Sequence, residues 1–216
     1  MIIKKFLHSC ILLEEQGRRL LIDPGDMSFF EKKISPEDIG GADVIVFTHR
    51  HSDHLDLDIL KKFLSLKQAK ILAHEEIGKK LKESDIPYTS ISAGETKIVE
   101  GFTIETIEAP HGHGLSVPSP YNLGFKIDNA FFHPGDCVSL ENIETKVLAL
   151  PVMGSWMRFP EAVLFAKRVK PQYVIPIHDA LIGDVFIDRV YDYYRGPLEK
   201  DGISFYQLGL DNSLEI

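Results

Sequence analysis

The most constraining feature of the sequence is THRHSDH at residues 48–54, where three histidines and one aspartate occupy seven positions. It directly follows DVIVF (43–47), an uninterrupted apolar run of the kind found in a fully buried strand. After it, Leu57, Leu60 and Leu64 recur at the spacing of an amphipathic helix. The sequence therefore places the cluster at a strand end, between a buried strand and a helix.

The four side chains of this cluster are all metal-ligand types. In an extended chain, residues two apart point the same way, so His49 and His51 can reach one ion. Four ligands from one segment would close a single tetrahedral zinc site, whereas a catalytic ion keeps one position open. We therefore predict that His49 and His51 hold one ion, and that Asp53 and His54 hold a second ion about 3.5–4 Å away.

Two such ions need further ligands, and the sequence offers them at the ends of later strands. His111 follows FTIETIEAP, Asp136 follows NAFFH, and His178 follows YVIPI. Strand ends can converge at one edge of a pair of sheets, which would bring these side chains to the cluster. His113 remains an alternative to His111, because both lie in the same glycine-rich stretch (111–122).

Hydrophobic patterning indicates an α/β protein with two sheets. IIKKFL, CILLEE and RLLI are typical of strands, and KIVEGFTIETIEAP predicts a hairpin that turns at Gly101. KVLALPV and YVIPI predict buried strands, and EAVLFAKRV and DVFIDRVYDYYR predict helices. Two strand-rich halves, each followed by strand–helix alternation, predict packed sheets with helices outside. Without a linker, residues 1–216 are expected to form a single domain.

Composition excludes several classes of protein. A net charge of -8 argues against a nucleic-acid-binding surface. The only cysteines, Cys10 and Cys137, are too few for a disulfide framework and favour free thiols in a reducing compartment. No segment approaches the length of about 18 apolar residues that a membrane-spanning helix needs. A signal peptide would need a longer apolar region than the one near the amino terminus. We expect a cytoplasmic protein with a small-molecule substrate and predict no oligomeric state.

THRHSDH resembles the H-x-H-x-D-H signature of the metallo-β-lactamase superfamily, and LLIDPG, APHG, HPGDCV and VIPIHDA resemble its successive metal-site segments. LHSCILLEEQGRRLLIDPG, YNLGFKI and LALPVMGSW resemble the branch that includes ascorbate-6-phosphate lactonase-like and N-acylphosphatidylethanolamine phospholipase-like hydrolases. The resemblance implies an αββα sandwich: two mixed sheets, helices on the outer faces, and a dinuclear site at one edge.

The resemblance also implies a ligand set and a reaction. The first ion would be held by His49, His51 and His111, the second by Asp53, His54 and His178, and Asp136 would bridge them. We expect two divalent ions, zinc first, with Mn²⁺ or Fe²⁺ as alternatives. The implied reaction is attack of a metal-bound hydroxide on a small ester, lactone or phosphoester, with Asp53 and His178 as catalytic residues. A nuclease or phosphodiesterase, and a non-catalytic metal-dependent binding or sensing protein, are the alternative functions.

Several other residues are candidates for roles next to the ions or the substrate. His8 and Asp23 match positions near the metals in this superfamily. From there, each side chain would hydrogen-bond a ligand imidazole and fix its orientation. His113, His133 and Asp179 are candidates for facing the site, and Arg158 for meeting an anionic substrate. Trp156, in the same GSWMRF segment, is either a core residue or a substrate-side residue. Cys137, directly after Asp136, is expected to be a buried thiol and not a ligand.

Overall fold

A computed structural model describes residues 1–30, 33–113 and 119–216. Much of the predicted loop at 111–122 therefore lies outside the described residues. Within them, the first half of the chain and the last strand form a seven-stranded sheet. Its strands are β1 (Ile2–Lys5), β2 (Ile11–Glu15), β3 (Arg18–Ile22), β4 (Val44–Val46), β5 (Lys70–Ala73), β6 (Thr89–Ser90) and, at the far edge beside β1, β14 (Leu214–Glu215).

The second half of the described chain forms another seven-stranded sheet, in which the strands run in sequence order from one edge to the other. Its strands are β7 (Thr96–Val99), β8 (Phe102–Glu108), β9 (Leu123–Ile127), β10 (Phe131–His133), β11 (Val147–Pro151), β12 (Tyr173–Ile177) and β13 (Ser204–Phe205). Gly101 makes the predicted β7–β8 turn with a φ of +79°, which glycine adopts without steric cost. Both sheets are mixed, because each contains parallel and antiparallel pairs.

Helices cover the outer faces of both sheets. They are α1 (Pro36–Ile39), α2 (Leu57–Leu66), α3 (Glu75–Glu83), α4 (Phe159–Val169) and α5 (Ile187–Glu199), with a 3₁₀ turn at Asp26–Ser28. Leu60 and Phe63 of α2 pack on the outside of the first sheet, and Phe165 of α4 and Tyr194 of α5 pack on the outside of the second. Among the described residues, no helix is long and apolar enough to cross a membrane.

The largest apolar cluster lies between the two sheets. It joins inward-facing side chains of the first sheet, such as Ile11, Leu20 and Val46, to Phe125 and Ile175 of the second. This shared core confirms the predicted sandwich of two sheets with helices outside, and it supports our proposal that residues 1–216 form a single domain.

Strand direction explains where the site lies. In the first sheet β1, β3 and β4 run the same way, because β1 and β3 each pair antiparallel with β2 and β3 pairs parallel with β4. In the second sheet β8, β10, β11 and β12 share one direction for the same reason. The carboxyl ends of these strands meet at one edge of the sandwich, and the segments that follow them carry the candidate ligands.

Three short elements were not predicted. α1 is only four residues long, although its capping box between Ser35 and Asp38 is visible in the sequence as S-x-x-D. β6 and β14 contain two residues each and add outer strands to the first sheet. Elements of this size carry too few residues for hydrophobic periodicity to indicate them.

Candidate metal centre

The segments at this edge bring eight ligand-type side chains together in two groups that could each hold a metal ion. Within each group, one potential ligand atom per residue lies within 4.8 Å of the others. The groups are His49, His51, His111 and Asp136, and His8, Asp53, His54 and His178. All seven predicted ligands are therefore brought together. Asp136, which the resemblance implies between the two ions, is counted with the first group, and His8, which was not predicted as a ligand, lies in the second.

Asp136 contacts both groups. Its Oδ2 atom lies 3.3 Å from Nε2 of His111 and 3.3 Å from Nε2 of His178. The same oxygen is 3.9 Å from Nε2 of His49, and Oδ1 is 3.1 Å from Nε2 of His54. A carboxylate with both oxygens between the two groups is in a position to bridge two ions.

The hydrogen bonding of the centre fits metal ions. Among the described residues, several buried atoms that face the centre have no hydrogen-bond partner: His54 Nε2, His111 Nε2, His178 Nε2 and Asp136 Oδ1. Each unpaired buried polar group costs about 1–3 kcal/mol, so such a concentration at one place requires an explanation. Imidazole nitrogens and carboxylate oxygens are the usual ligands of zinc and related ions. The donor set therefore fits two divalent cations.

Burial and mutual charge set the protonation of these groups. Burial lowers the pKa of His49, which leaves the imidazole neutral. Burial opposes the charged form of His178 too, but the Asp136 carboxylate outweighs it and raises the pKa of His178 to about 9. Asp136 and Asp23 likewise raise the pKa of His54 despite its burial. Burial alone would raise the pKa of Asp136. The surrounding imidazoles stabilise the carboxylate more strongly and hold its pKa well below its usual range.

Asp23 orients the imidazole of His54. The resemblance implies this kind of contact for Asp23. It is fully buried, and its Oδ2 accepts a hydrogen bond from Nδ1 of His54 at 2.7 Å. The proton on Nδ1 leaves Nε2 of His54 directed at Asp136. Thr48 donates to both carboxylate oxygens of Asp23, and its hydroxyl lies 3.1 Å from Nδ1 of His49. Thr48 thus orients a second imidazole, a role that was not predicted.

We expect Asp23→Asn to weaken zinc binding about 10–100-fold, the usual effect of losing a hydrogen-bond partner of a ligand. Asp23 accepts from the Thr48 amide on Oδ1 and from the Thr48 hydroxyl and His54 Nδ1 on Oδ2, whereas asparagine replaces one of these oxygens with an NH₂ donor, so the three bonds cannot all be kept and the negative charge beside His54 is lost. Competition with a chromophoric chelator measures the affinity. Asp43→Asn is the matched control, because that carboxylate bonds Arg19 and Lys67 at the other end of β4. Equal zinc affinity in both variants would contradict the role of Asp23.

A close backbone approach lets the Asp23 segment reach the cluster. A Cβ on Gly25 would lie 2.0 Å from the carbonyl carbon of Asp53, so no larger residue fits there without displacing the ligand loop. The amide of Asp26 also donates to the carbonyl of Ser52 at 2.8 Å. The glycine of LLIDPG therefore holds the loop that carries Asp53 and His54.

His8 supports the second group from the β1–β2 turn. Its Nδ1 accepts from the amide of Ala180 at 3.4 Å, so Nε2 carries the proton and donates to Oδ2 of Asp53 at 3.1 Å. Although burial alone would raise the pKa of Asp53, the imidazoles of His178 and His8 outweigh it and hold the pKa well below its usual range. His8 and His178 both adopt left-handed backbone conformations, with φ of +45° and +62°. Such conformations are uncommon outside glycine and cluster at functional sites.

Asn122 is a second residue that the sequence reasoning did not single out. Its Nδ2 donates to the carbonyls of Ala109 and Pro134, and its Oδ1 accepts from the amide of Asp136. It thereby joins the segment that carries His111 to the segment that carries Asp136. The only sequence signal was its place in YNLGFKI, one of the segments on which the resemblance rests.

Asp179 follows His178 directly but belongs to neither group of ligand-type side chains. Its Oδ2 accepts from Nζ of Lys5 and from the hydroxyl of Tyr191, each at 2.5 Å. All three side chains are buried. Burial and the neighbouring carboxylate raise the pKa of Tyr191, so the phenol remains a donor. This network fixes the backbone next to His178.

Tyr191→Phe is expected to lower the free energy of unfolding by about 1.5–3 kcal/mol, the usual contribution of a hydrogen bond to a charged group. Urea denaturation of the metal-free protein measures this change. Tyr193→Phe is the control, because Tyr193 is half exposed on the same helix. Equal stability of the two variants would contradict the contribution of Tyr191.

The remaining candidates lie elsewhere. His133 is fully buried. Its Nε2 donates to the carbonyl of Ser9 and its Nδ1 accepts from the amide of Gly135, so it stabilises the backbone and does not face the metal centre.

His113 is exposed and lies outside both groups. Arg158 pairs with Glu161 on the surface, away from the cavity at the centre. Cys10 and Cys137 are buried free thiols outside both groups, as predicted.

A cavity of about 260 Å³ opens onto the centre. Ligand-type side chains of both groups line one wall, and Trp156 lines another, with its ring centroid 5.6 Å from that of His111 and 5.8 Å from that of His178. The sequence left two positions open for Trp156, one in the core and one on the substrate side. The structure favours the second, because the indole lines this cavity.

Comparison with known proteins gives consistent matches. Residues 2–178 match the family model described as a Beta-lactamase superfamily domain. The protein Rv0786c of Mycobacterium tuberculosis is 30% identical over 186 residues, which is 82% of this chain and 84% of its own. A UPF0173 metal-dependent hydrolase of Pyrococcus horikoshii is 28% identical over 189 residues, covering 81% and 83%. Igni18, a metallo hydrolase of Ignicoccus hospitalis, shares the fold with a TM-score of 0.73 at 20% identity, covering 99% and 97%.

Proposed function

Because this chain belongs to the metallo-β-lactamase superfamily, we propose that it is a dinuclear metal-dependent hydrolase of a small ester, lactone or phosphoester. The observation that carries the proposal is Asp136, whose two oxygens face both groups of ligand-type side chains. The relative from Pyrococcus horikoshii, named as a metal-dependent hydrolase, supports the same class of activity.

Each ion would be held by residues that the geometry already groups. His49, His51 and His111 would hold one ion, and Asp53, His54 and His178 the other, with Asp136 between them. His8 would remain a donor to Asp53, because its Nδ1 already accepts from the amide of Ala180. We expect zinc, because imidazole nitrogen predominates among the ligands. When bound, divalent ions generate a nucleophile from water at neutral pH and polarise the substrate oxygen.

The protein's own contribution lies in orientation and in a fixed proton acceptor. Asp53 is partly exposed in the cavity, and the imidazoles around it keep its pKa low, so it stays an ionised acceptor. From that position it can accept a hydrogen bond from the attacking water and direct a lone pair of the water at the substrate. His178 lines the same cavity, where it can contact the reacting group. These positions support Asp53 and His178 as the catalytic residues.

Elemental analysis combined with a substrate panel tests the proposal. The purified protein is expected to contain about two divalent ions per chain and to hydrolyse at least one ester, lactone or phosphodiester. His49→Ala should lose the ion of the first group and, with it, the activity. A protein that holds no transition metal, and remains inactive when zinc or manganese is supplied, would overturn the proposal. Cleavage of single-stranded RNA in place of the small substrates would favour the nuclease alternative.

A further inference from the structure

The cavity at the metal centre has two chemically different halves. One half consists of ligand-type side chains: His51, Asp53, His111, Asp136 and His178. The other half is formed by Ser119, Gly154, Ser155, Trp156 and Leu181. Among the described lining residues, this second half contains no charged side chain, so beyond the ions it offers an apolar surface and two hydroxyls.

Trp156 is held over the centre by the backbone on both sides. A Cβ on Gly112 would lie 2.3 Å from Cε3 of the indole, and a Cβ on Gly154 would lie 2.7 Å from Nε1. Both neighbouring residues are therefore close enough that only glycine leaves room for the ring. The indole forms a fixed aromatic wall beside His111 and His178.

The arginines closest to Trp156 along the chain have other partners. Arg158 donates to Glu161 through Nε and Nη2, at 2.9 and 2.6 Å. Arg168 donates from Nη2 to the carbonyl of Val138 at 3.0 Å and lines the neighbouring cavity together with the carboxylates of Glu141 and Glu161, which offset its charge. A phosphomonoester carries about 1.5 to 2 negative charges at neutral pH and is usually bound through several charge-assisted donors. Beyond the ions, such a group would meet only the neutral hydroxyls of Ser119 and Ser155 in the cavity at the centre.

We propose that the substrate is a carboxylic ester or lactone whose apolar, preferably aromatic, part packs against Trp156; this inference rests on the proposed hydrolase function. Trp156 borders both the cavity at the centre and a neighbouring cavity of about 460 Å³ that also contains His111, so its ring is accessible beside the centre. Aromatic groups prefer offset or edge-to-face contacts with an indole. Hydrolysis adds one water across the acyl C–O bond, which breaks to give a carboxylate, an alcohol and a released proton.

Ligand binding tests this inference separately from activity. Trp156 is the only tryptophan, so its fluorescence reports directly on the cavity. Acetophenone serves as an uncharged aryl ketone that cannot be hydrolysed, and phenylphosphonate as an anion with the same ring. In the zinc-loaded protein, acetophenone is expected to quench the fluorescence saturably, and phenylphosphonate should bind more tightly than inorganic phosphate because its ring also packs against Trp156.

Variants of Trp156 complete the test by equilibrium dialysis of labelled acetophenone. Trp156→Ala should weaken binding about tenfold, whereas Trp156→Phe should stay within about threefold of the wild type because it keeps an aromatic face. Tyr206→Ala, which removes a partly exposed aromatic side chain elsewhere, should bind like the wild type. Metal content and circular dichroism verify that each variant is folded and loaded.

Three outcomes would overturn the inference: equal acetophenone binding by Trp156→Ala and the wild type, equal binding of phenylphosphonate and inorganic phosphate, or faster hydrolysis of phenyl phosphate than of phenyl acetate. The failure of the proposed function gives a different result. A zinc-loaded protein that binds acetophenone through Trp156 but hydrolyses no ester or lactone would contradict the hydrolase proposal and leave the apolar ligand preference standing.

Discussion

Asp136→Ala is expected to remove both metal ions and to lower the rate of hydrolysis by more than about 100-fold, the upper effect of losing a partner that only orients a ligand. The reason is geometric, since the carboxylate lies within 3.1–3.9 Å of nitrogens from His49, His54, His111 and His178. Without it, each group loses an anionic ligand and the two ions lose the charge between them. Elemental analysis and the rate on the best substrate of the panel measure the two effects.

Two further variants separate the causes. Asp136→Asn keeps the shape of the side chain and one carbonyl oxygen, so metal lost from it as well reports the loss of charge and not of packing. Asp184→Ala is the control, because that exposed carboxylate pairs with Lys33 on the surface. An Asp136→Ala protein that keeps two ions per chain and works within threefold of the wild type would contradict the bridging role.

The side chains proposed to bind metal were predictable because their chemistry is carried by residue type and local spacing. His49, His51, Asp53 and His54 lie in one segment after a buried strand, where the strand end fixes their neighbourhood. Asp136 and His178 also follow strands whose apolar pattern is plain. Parallel strand direction then brings them to the same edge, which is a general property of such sheets.

The residues that position the ligands were harder to predict, because they depend on contacts between distant segments. Lys5 and Asp179 are 174 residues apart, and nothing in either local sequence indicates that they pair. Asn122 contacts Ala109 and Pro134 only once β8, β9 and β10 are aligned. Such roles follow from the register of the folded sheets and not from a motif.

The choice between His111 and His113 also needed tertiary information. The two residues share a loop, and spacing alone did not separate them. The amide of Gly112 donates to the carbonyl of Asp136 at 3.0 Å, which holds the chain so that Nε2 of His111 lies 3.3 Å from the Asp136 carboxylate. By contrast, the pairing of Arg158 with Glu161 had a local signal, since the two residues are three apart at the start of a helix.

Zinc is expected to raise the thermal unfolding midpoint substantially. A ligand that binds only the folded state at about 1,000 times its dissociation constant stabilises that state by about 4 kcal/mol per site. For a chain of this size, about 2–4 °C accompanies each kcal/mol, so each zinc ion should add about 8–16 °C. The effect should be large here because the ions would satisfy buried nitrogens and an oxygen that have no other partner among the described residues. Differential scanning calorimetry before and after chelation measures the shift.

Two controls separate binding at this centre from weak binding elsewhere. Magnesium prefers oxygen ligands and should leave the midpoint nearly unchanged. His49→Ala should keep less than the full zinc shift, because one group loses a ligand while the other retains Asp53, His54 and His178. An equal zinc shift in His49→Ala and the wild type would place the stabilising ion outside the centre. A smaller shift together with one zinc ion per chain by elemental analysis would show that the second group binds its ion without the first, whereas a smaller shift with no retained ion would indicate a single weakened site.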